Sequence, residues 1–118
     1  MTRLQVIPQV SEHELVEIDR IGKLRAPTEA CGLLLSVPHH GRTVIELPNR
    51  SLTAEDHYEF KGSDAYIELK DYDDELVVWH THPGGLIGPS RDDMRTRHED
   101  YWYLVVTLTP EGPVPTFF

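Results

Sequence analysis

The segment "ELVVWHTHPGG", residues 75–85, constrains the fold more than any other part of the chain. Its β-branched and aromatic residues read as a strand, and Pro83, Gly84 and Gly85 stop it. Side chains alternate along a strand, so His80 and His82 share one face while Trp79 turns to the other, as a core residue would. Two imidazoles side by side at a strand end, followed by a glycine-rich loop, are the start of a metal site.

The flanking sequence supplies a sheet for that strand. "EACGLLLSV", 29–37, is short and apolar and ends at Pro38, which predicts a buried strand. The turn "PHHGR" joins it to "TVIEL", 43–47, as a hairpin. "YLVVTLT", 103–109, is the clearest strand, and "PTFF" is expected to extend the sheet beside it or to lie in a contact between chains. "RLQVIP", 3–8, alternates and predicts a further short strand. Helices are expected over 11–24, where Ser11 and Glu14 form a capping box and Gly22 marks the end region, over 63–70, and from Ser90 through "SRDDMRTRHEDY". "HYEF", 57–60, reads as another short strand. The fold class is α/β, a single domain over 1–118 with a mixed central sheet and helices on its faces.

Composition narrows the functions. The 118 residues carry a net charge of −9 and an acidic run, "DYDDEL", so nucleic acid is disfavoured as a partner. No apolar run reaches the roughly 18–20 residues of a membrane span, and "MTRLQVIPQVSEHEL" lacks the regions of a signal peptide, so no membrane anchor is expected and the cytoplasm is the expected compartment. A single cysteine, Cys31, cannot make an internal disulfide and reads as a small buried hydrophobe rather than a nucleophile.

A hydrolytic zinc commonly takes three protein ligands and keeps a fourth position for a water whose pKa falls to about 7. His80 and His82 are too few. Asp93 is a plausible third, because Gly84, Gly85 and Gly88 let the chain turn and bring the next helix back beside the strand. Ser90 and Asp93 also have the spacing of a capping box, which would explain both without a metal.

Read together, His-x-His-Pro, six residues, then Ser-x-x-Asp, from His80 to Asp93, resembles the JAMM motif of the JAB/MPN metallopeptidases. That motif includes an upstream glutamate followed three residues later by glycine, and Glu29 and Gly32 fit. The resemblance spans most of the chain. It implies an MPN-type fold in which His80, His82 and Asp93 bind Zn2+, Glu29 is the general base and Ser90 donates to the oxyanion, so that metal-activated water hydrolyses an amide bond in a peptide or protein substrate. The compact form, without room for insertions that grip ubiquitin, is most similar to the prokaryotic and phage-tail-assembly branch. That implies a bacterial cytoplasm or a phage-infected host, with virion association one possibility. With 25 residues after Asp93 the C-terminal end looks abbreviated, and either a partner chain or dimer, or a missing segment, is expected to complete that edge.

Two rivals stand against this reading. A non-catalytic MPN-fold assembly module is disfavoured because every ligand position is filled. Zinc deamination needs a Pro-Cys-x-x-Cys arrangement that one cysteine cannot supply. Among other side chains, His39 and His40 fall in a turn, His13 and His98 on polar surfaces, and His57 is a candidate for supporting the site. Leu86 and Ile87 either contact substrate or pack under the following helix.

Overall fold

The computed structural model describes residues 3, 6–37, 39, 41–49, 51 and 75–118. The expected strand at 57–60, the helix at 63–70, His40 and His57 lie outside the described residues. In chain order the described elements are α1 (Glu12–Arg25), β1 (Cys31–Val37), β2 (Gly41–Leu47), β3 (Val77–His82), α2 (Arg91–Thr96), β4 (Trp102–Thr109) and β5 (Gly112–Phe117). The strands form one mixed sheet in the order β2-β1-β3-β4-β5. Among the described strands only β3 and β4 run parallel, with His82 opposite Thr107. A parallel pair needs a crossover, and here the crossover is the glycine loop, α2 and the turn before Trp102.

α1 begins where the sequence predicts. The Glu14 N–H donates to Ser11 Oγ at 3.1 Å, and the Ser11 N–H donates to Glu14 Oε1 at 2.8 Å. Glu12 and Glu14 in the first turn, with Lys23 and Arg25 in the last, complement the helix dipole. Ile18 and Ile21 are buried against Trp79, Leu104 and Val106 on one face of the sheet. Each such buried side chain contributes about 1.5–3 kcal/mol relative to exposure. Gly22 lies in the last turn, in the end region the sequence marks, and a Cβ there would lie 2.9 Å from Thr81 Cγ2, so the glycine also lets α1 approach β3 closely.

On the opposite face Cys31, Leu33, Val78, Tyr103, Val105 and Phe118 form a second buried cluster. β1 and β3 therefore sit between two apolar layers, which is why both read as continuous hydrophobic runs. Gly32 lies between them. A Cβ at this position would meet Ile45 O at 1.9 Å and Trp79 Cζ2 at 2.8 Å.

β5 pairs antiparallel with β4, so the C-terminal segment joins the sheet of its own chain. Pro113 and Pro115 are tolerated because β5 is the edge of the described sheet, where a proline without an N–H costs nothing if no described strand accepts. The expected strand at 3–8 is not formed at residues 6–8. Val6 and Ile7 are exposed, Pro8 cannot donate to a ladder, and the segment is instead held at its ends, by the Arg3 N–H to Glu99 O at 3.4 Å and by Gln9 O accepting from Arg42. The helix opened by Ser90 is shorter than expected and stops at Thr96, with Arg97 extended. No described helix is long and apolar enough to cross a membrane.

Candidate metal centre

The site forms at the C-terminal end of β3, where open α/β sheets place their ligands. His80 and His82 emerge on the face opposite α1, and Trp79 and Thr81 on the face beneath it. Both histidines are buried, at 0% and 5% exposure. Asp93 returns through the first turn of α2 and brings Oδ2 to 3.1 Å from Nε2 of each histidine. The two Nε2 atoms are 3.2 Å apart. Glu29 stands one step back, with Oε2 3.8 Å from His82 Nε2.

Hydrogen bonds with the surrounding backbone fix His82 and Asp93. His82 Nδ1 lies 3.1 Å from the carbonyl oxygen of Leu86. A carbonyl can only accept, so Nδ1 carries the proton and Nε2 presents its lone pair. The same carbonyl accepts from Thr107 Oγ1 at 2.6 Å. Ser90 and Asp93 do form a capping box: the Ser90 N–H donates to Asp93 Oδ2 at 2.9 Å, and the Asp93 N–H donates to Ser90 Oγ at 3.0 Å. The capping and functional readings are therefore compatible, since the cap sets the carboxylate beside the histidines. Because Ser90 Oγ acts as acceptor in the cap, its own O–H remains a donor.

Glu29 precedes β1 rather than belonging to it. Its neighbour Ala30 is pinned to β3 by two bonds of 2.9 Å, from the Ala30 N–H to Thr81 Oγ1 and from the Thr81 N–H to Ala30 O. Asn49 Nδ2 donates to the Glu29 carbonyl at 2.9 Å. Thr81, Asn49 and Thr107 were not singled out from sequence. Thr81 and Thr107 did carry a signal, as hydroxyls inside otherwise apolar strands, where burial demands a partner.

Burial and the neighbouring carboxylates move the two imidazoles in opposite directions. Burial pushes the His80 imidazole below its ordinary value, outweighing the hydrogen bond and charge of Asp93. Burial also opposes protonation of His82, but the bond to Asp93 and the charge of Glu29 prevail and raise it. Burial alone would push the Asp93 carboxyl up; bonds from His80 and His82 hold it well below the usual carboxylate range.

Two triads of donor atoms can be drawn here. In the set Glu29, His80 and His82 the glutamate oxygen lies 3.8 Å from His82 Nε2, whereas His80, His82 and Asp93 are spaced at 3.1–3.2 Å. Tetrahedral zinc with bonds of about 2.0–2.1 Å separates its ligands by about 3.3 Å, so the second triad fits the ion and leaves Glu29 beside it. The nitrogen and oxygen donor set also suits zinc.

The remaining candidates do not join the donor set, although Cys31 pairs with His80 across β1 and β3. Cys31 is fully buried, its Sγ lies 3.5 Å from Leu47 O, and burial pushes its thiol up to about 12, as suits a packing residue. His13 and His39 are exposed, and His98 pairs with Asp100 at the surface. Leu86 and Ile87 do not pack under α2; they are 55% and 58% exposed on the loop beside the histidines.

A mixed α/β sheet with a His-x-His strand end, a capped aspartate and an upstream glutamate defines the JAB/MPN class of domain. The chain belongs to the family of prokaryotic homologues of the JAB domain, whose model matches residues 11–117. A search of curated proteins found no match. Among solved structures, the chain is similar to a solution structure of a protein from Salinibacter ruber, with 17% identity and a TM-score of 0.51, covering 93% of this chain and 80% of that one. At that identity the likeness speaks for the fold.

Proposed function

We propose that the protein is a zinc-dependent metallopeptidase or isopeptidase, with His80, His82 and Asp93 as ligands. The observation that carries this reading is the 3.1–3.2 Å spacing of three donor atoms with a buried glutamate 3.8 Å from one of them. When bound, the ion supplies Lewis acidity, which acidifies water and polarises a carbonyl. Glu29 accepts a proton from the attacking water and passes it to the nitrogen as the C–N bond breaks, leaving a carboxylate on one product and an amine on the other. The Ser90 hydroxyl donates toward the carbonyl oxygen as negative charge develops there. The exposed Leu86 and Ile87 offer an apolar contact to an extended chain beside the site.

The test is zinc analysis together with a cleavage screen over a phage tail protein, a peptidoglycan stem peptide, a small ubiquitin-like fusion and lysine-linked ubiquitin chains. His82→Ala is expected to lose zinc. Glu29→Gln is expected to keep it while hydrolysis falls by roughly 10²–10⁴-fold. Equal zinc in the parent and His82→Ala proteins would refute the ligand assignment. Absence of any Glu29-dependent cleavage would favour the assembly-module alternative.

A further inference from the structure

Glu29 and Ala30 share one peptide unit, and a side chain from either side of β1 holds one end of it. The Ala30 N–H donates to Thr81 Oγ1 on β3, and Asn49 Nδ2 donates to the Glu29 carbonyl from beyond the end of β2, both at 2.9 Å. A trans peptide is planar, so the two bonds fix a single rigid plane from both sides.

The backbone ladder alone stops short of this unit. The last β1–β2 pair is Cys31 with Leu47. Continued outward, the same register sets Pro48 opposite Ala30 and Asn49 opposite Glu29. Peptide groups alternate sides along an antiparallel strand, and Ala30 turns both its N–H and its carbonyl to Thr81. Those of Glu29 therefore turn toward β2. That strand ends at Leu47, and the Asn49 amide supplies a donor one hydrogen-bonded pair beyond it. Asn49 is itself oriented: its Oδ1 accepts from the Ser51 N–H at 3.0 Å, which aims the Nδ2 end at Glu29.

The direction of the 29–30 peptide decides where the Glu29 side chain leaves the backbone, and its Oε2 sits 3.8 Å from His82 Nε2. A general base must lie within hydrogen-bond reach of the proton it takes, and a displacement of about 1 Å can cost on the order of 10²-fold in rate. We propose that Asn49 is a positioning residue for Glu29: with Thr81 it clamps the shared peptide, and through the backbone it aims the carboxylate at the histidine and aspartate donors. The effect on rate rests on the hydrolytic reading above, whereas the orientation of Glu29 is measurable without metal or turnover.

Two variants test the clamp. Asn49→Asp keeps the size of the side chain and its acceptor for the Ser51 N–H, but an ionised carboxylate cannot donate to the Glu29 carbonyl. Asn49→Ala removes both bonds. In metal-free protein, three-bond couplings across the Glu29 Cα–Cβ bond report its rotamer by NMR. The parent is expected to show one rotamer and both variants an average of several. A single, parent-like rotamer in Asn49→Asp would overturn the proposal, and so would averaging already present in the parent. In zinc-loaded protein on the substrates screened above, both variants are expected to keep their zinc and KM while kcat falls on the order of 10²-fold. In the Glu29→Gln background Asn49→Ala should lower the rate no further, because a residue that acts through Glu29 has nothing left to act on. A merely structural role would lower the rate alike in both backgrounds, and that additive result would also overturn the proposal. Hydrolysis that ignores Glu29, or none at all, would sink the hydrolytic reading, with the rotamers still deciding whether Asn49 positions the glutamate.

Discussion

Thr107 and His82 face each other across the parallel β3–β4 pair and share one acceptor, the Leu86 carbonyl, at 2.6 and 3.1 Å. Through it the glycine loop determines which nitrogen of His82 is protonated, and the buried threonine holds that loop in place. A hydroxyl on β4 thereby orients a ligand on β3 without touching the ligand atom.

Thr107→Val keeps the shape and removes the hydroxyl. The Leu86 carbonyl would keep His82 as a donor but lose its anchor to β4. Zinc affinity is expected to fall about tenfold, the lower end of the range for partners of metal-ligating histidines. Competition with a chromogenic chelator measures it, and an affinity equal to the parent's would show that the loop holds itself.

Gly32 occupies the position expected of the family's glycine, and its environment gives a reason that involves packing alone. Gly32→Ala would drive a methyl group into Ile45 O and the Trp79 ring. Overpacking of this kind costs about 1–3 kcal/mol or more, and backbone on one side allows little relief. Urea denaturation should show that loss. A fully stable variant with impaired catalysis would point instead to a role in the reaction.

The Glu14–Arg42 pair joins the first turn of α1 to β2 and supplies the pH dependence that can be assigned most directly. Burial would push the Glu14 carboxyl up, but hydrogen bonds and charge from Arg42, with the Ser11 N–H, hold it below its ordinary value. A depressed folded value means that the contribution is fully present above the unfolded pKa of about 4.3 and is lost as pH falls through the folded value. Glu14→Gln should therefore cost about 1.5–3 kcal/mol at pH 7, with a gap from the parent that narrows toward pH 3. A gap of constant size across that range would place the effect in packing rather than charge.

Much of this architecture is legible in the sequence because local and tertiary demands coincide. The runs ending at Val37, His82 and Thr109 are apolar enough that only a sheet covered on both faces accommodates them. Ser11 and Ser90 announce helix starts because a cap is chemistry between near neighbours. Residues 6–8 misled for the converse reason: alternation predicts a strand only if a neighbour accepts its ladder, and none of the described strands does. α2 ends early because polarity permits a helix through Tyr101 without requiring one. At the site, His80, His82 and Asp93 are visible as chemistry at a spacing, and Glu29 only through the resemblance to the family motif. Thr107, Asn49 and the Leu86 carbonyl are not, because their positions depend on register between distant strands.

Phe118 should matter to both stability and the metal centre. Phe118 is 7% exposed, its N–H donates to Tyr103 O at 2.9 Å, and its ring stacks on Tyr103 with centroids 5.5 Å apart. The same ring meets the edge of His80 at 6.1 Å, so it forms part of the wall behind a proposed ligand. Phe118→Ala would open a cavity between the apolar cluster and that imidazole. A loss of about 3 kcal/mol is expected, the low end of the usual range for phenylalanine truncation. Zinc affinity should fall with it, since His80 loses one of the surfaces that fix its rotamer, and Phe118→Leu should recover most of the stability and less of the affinity. Urea melts with saturating zinc and with chelator separate the two effects: destabilisation larger with zinc than without is the expected signature. Equal destabilisation under both conditions would confine Phe118 to the core, and unchanged stability after removal of residues 114–118 would contradict the role assigned to β5 itself.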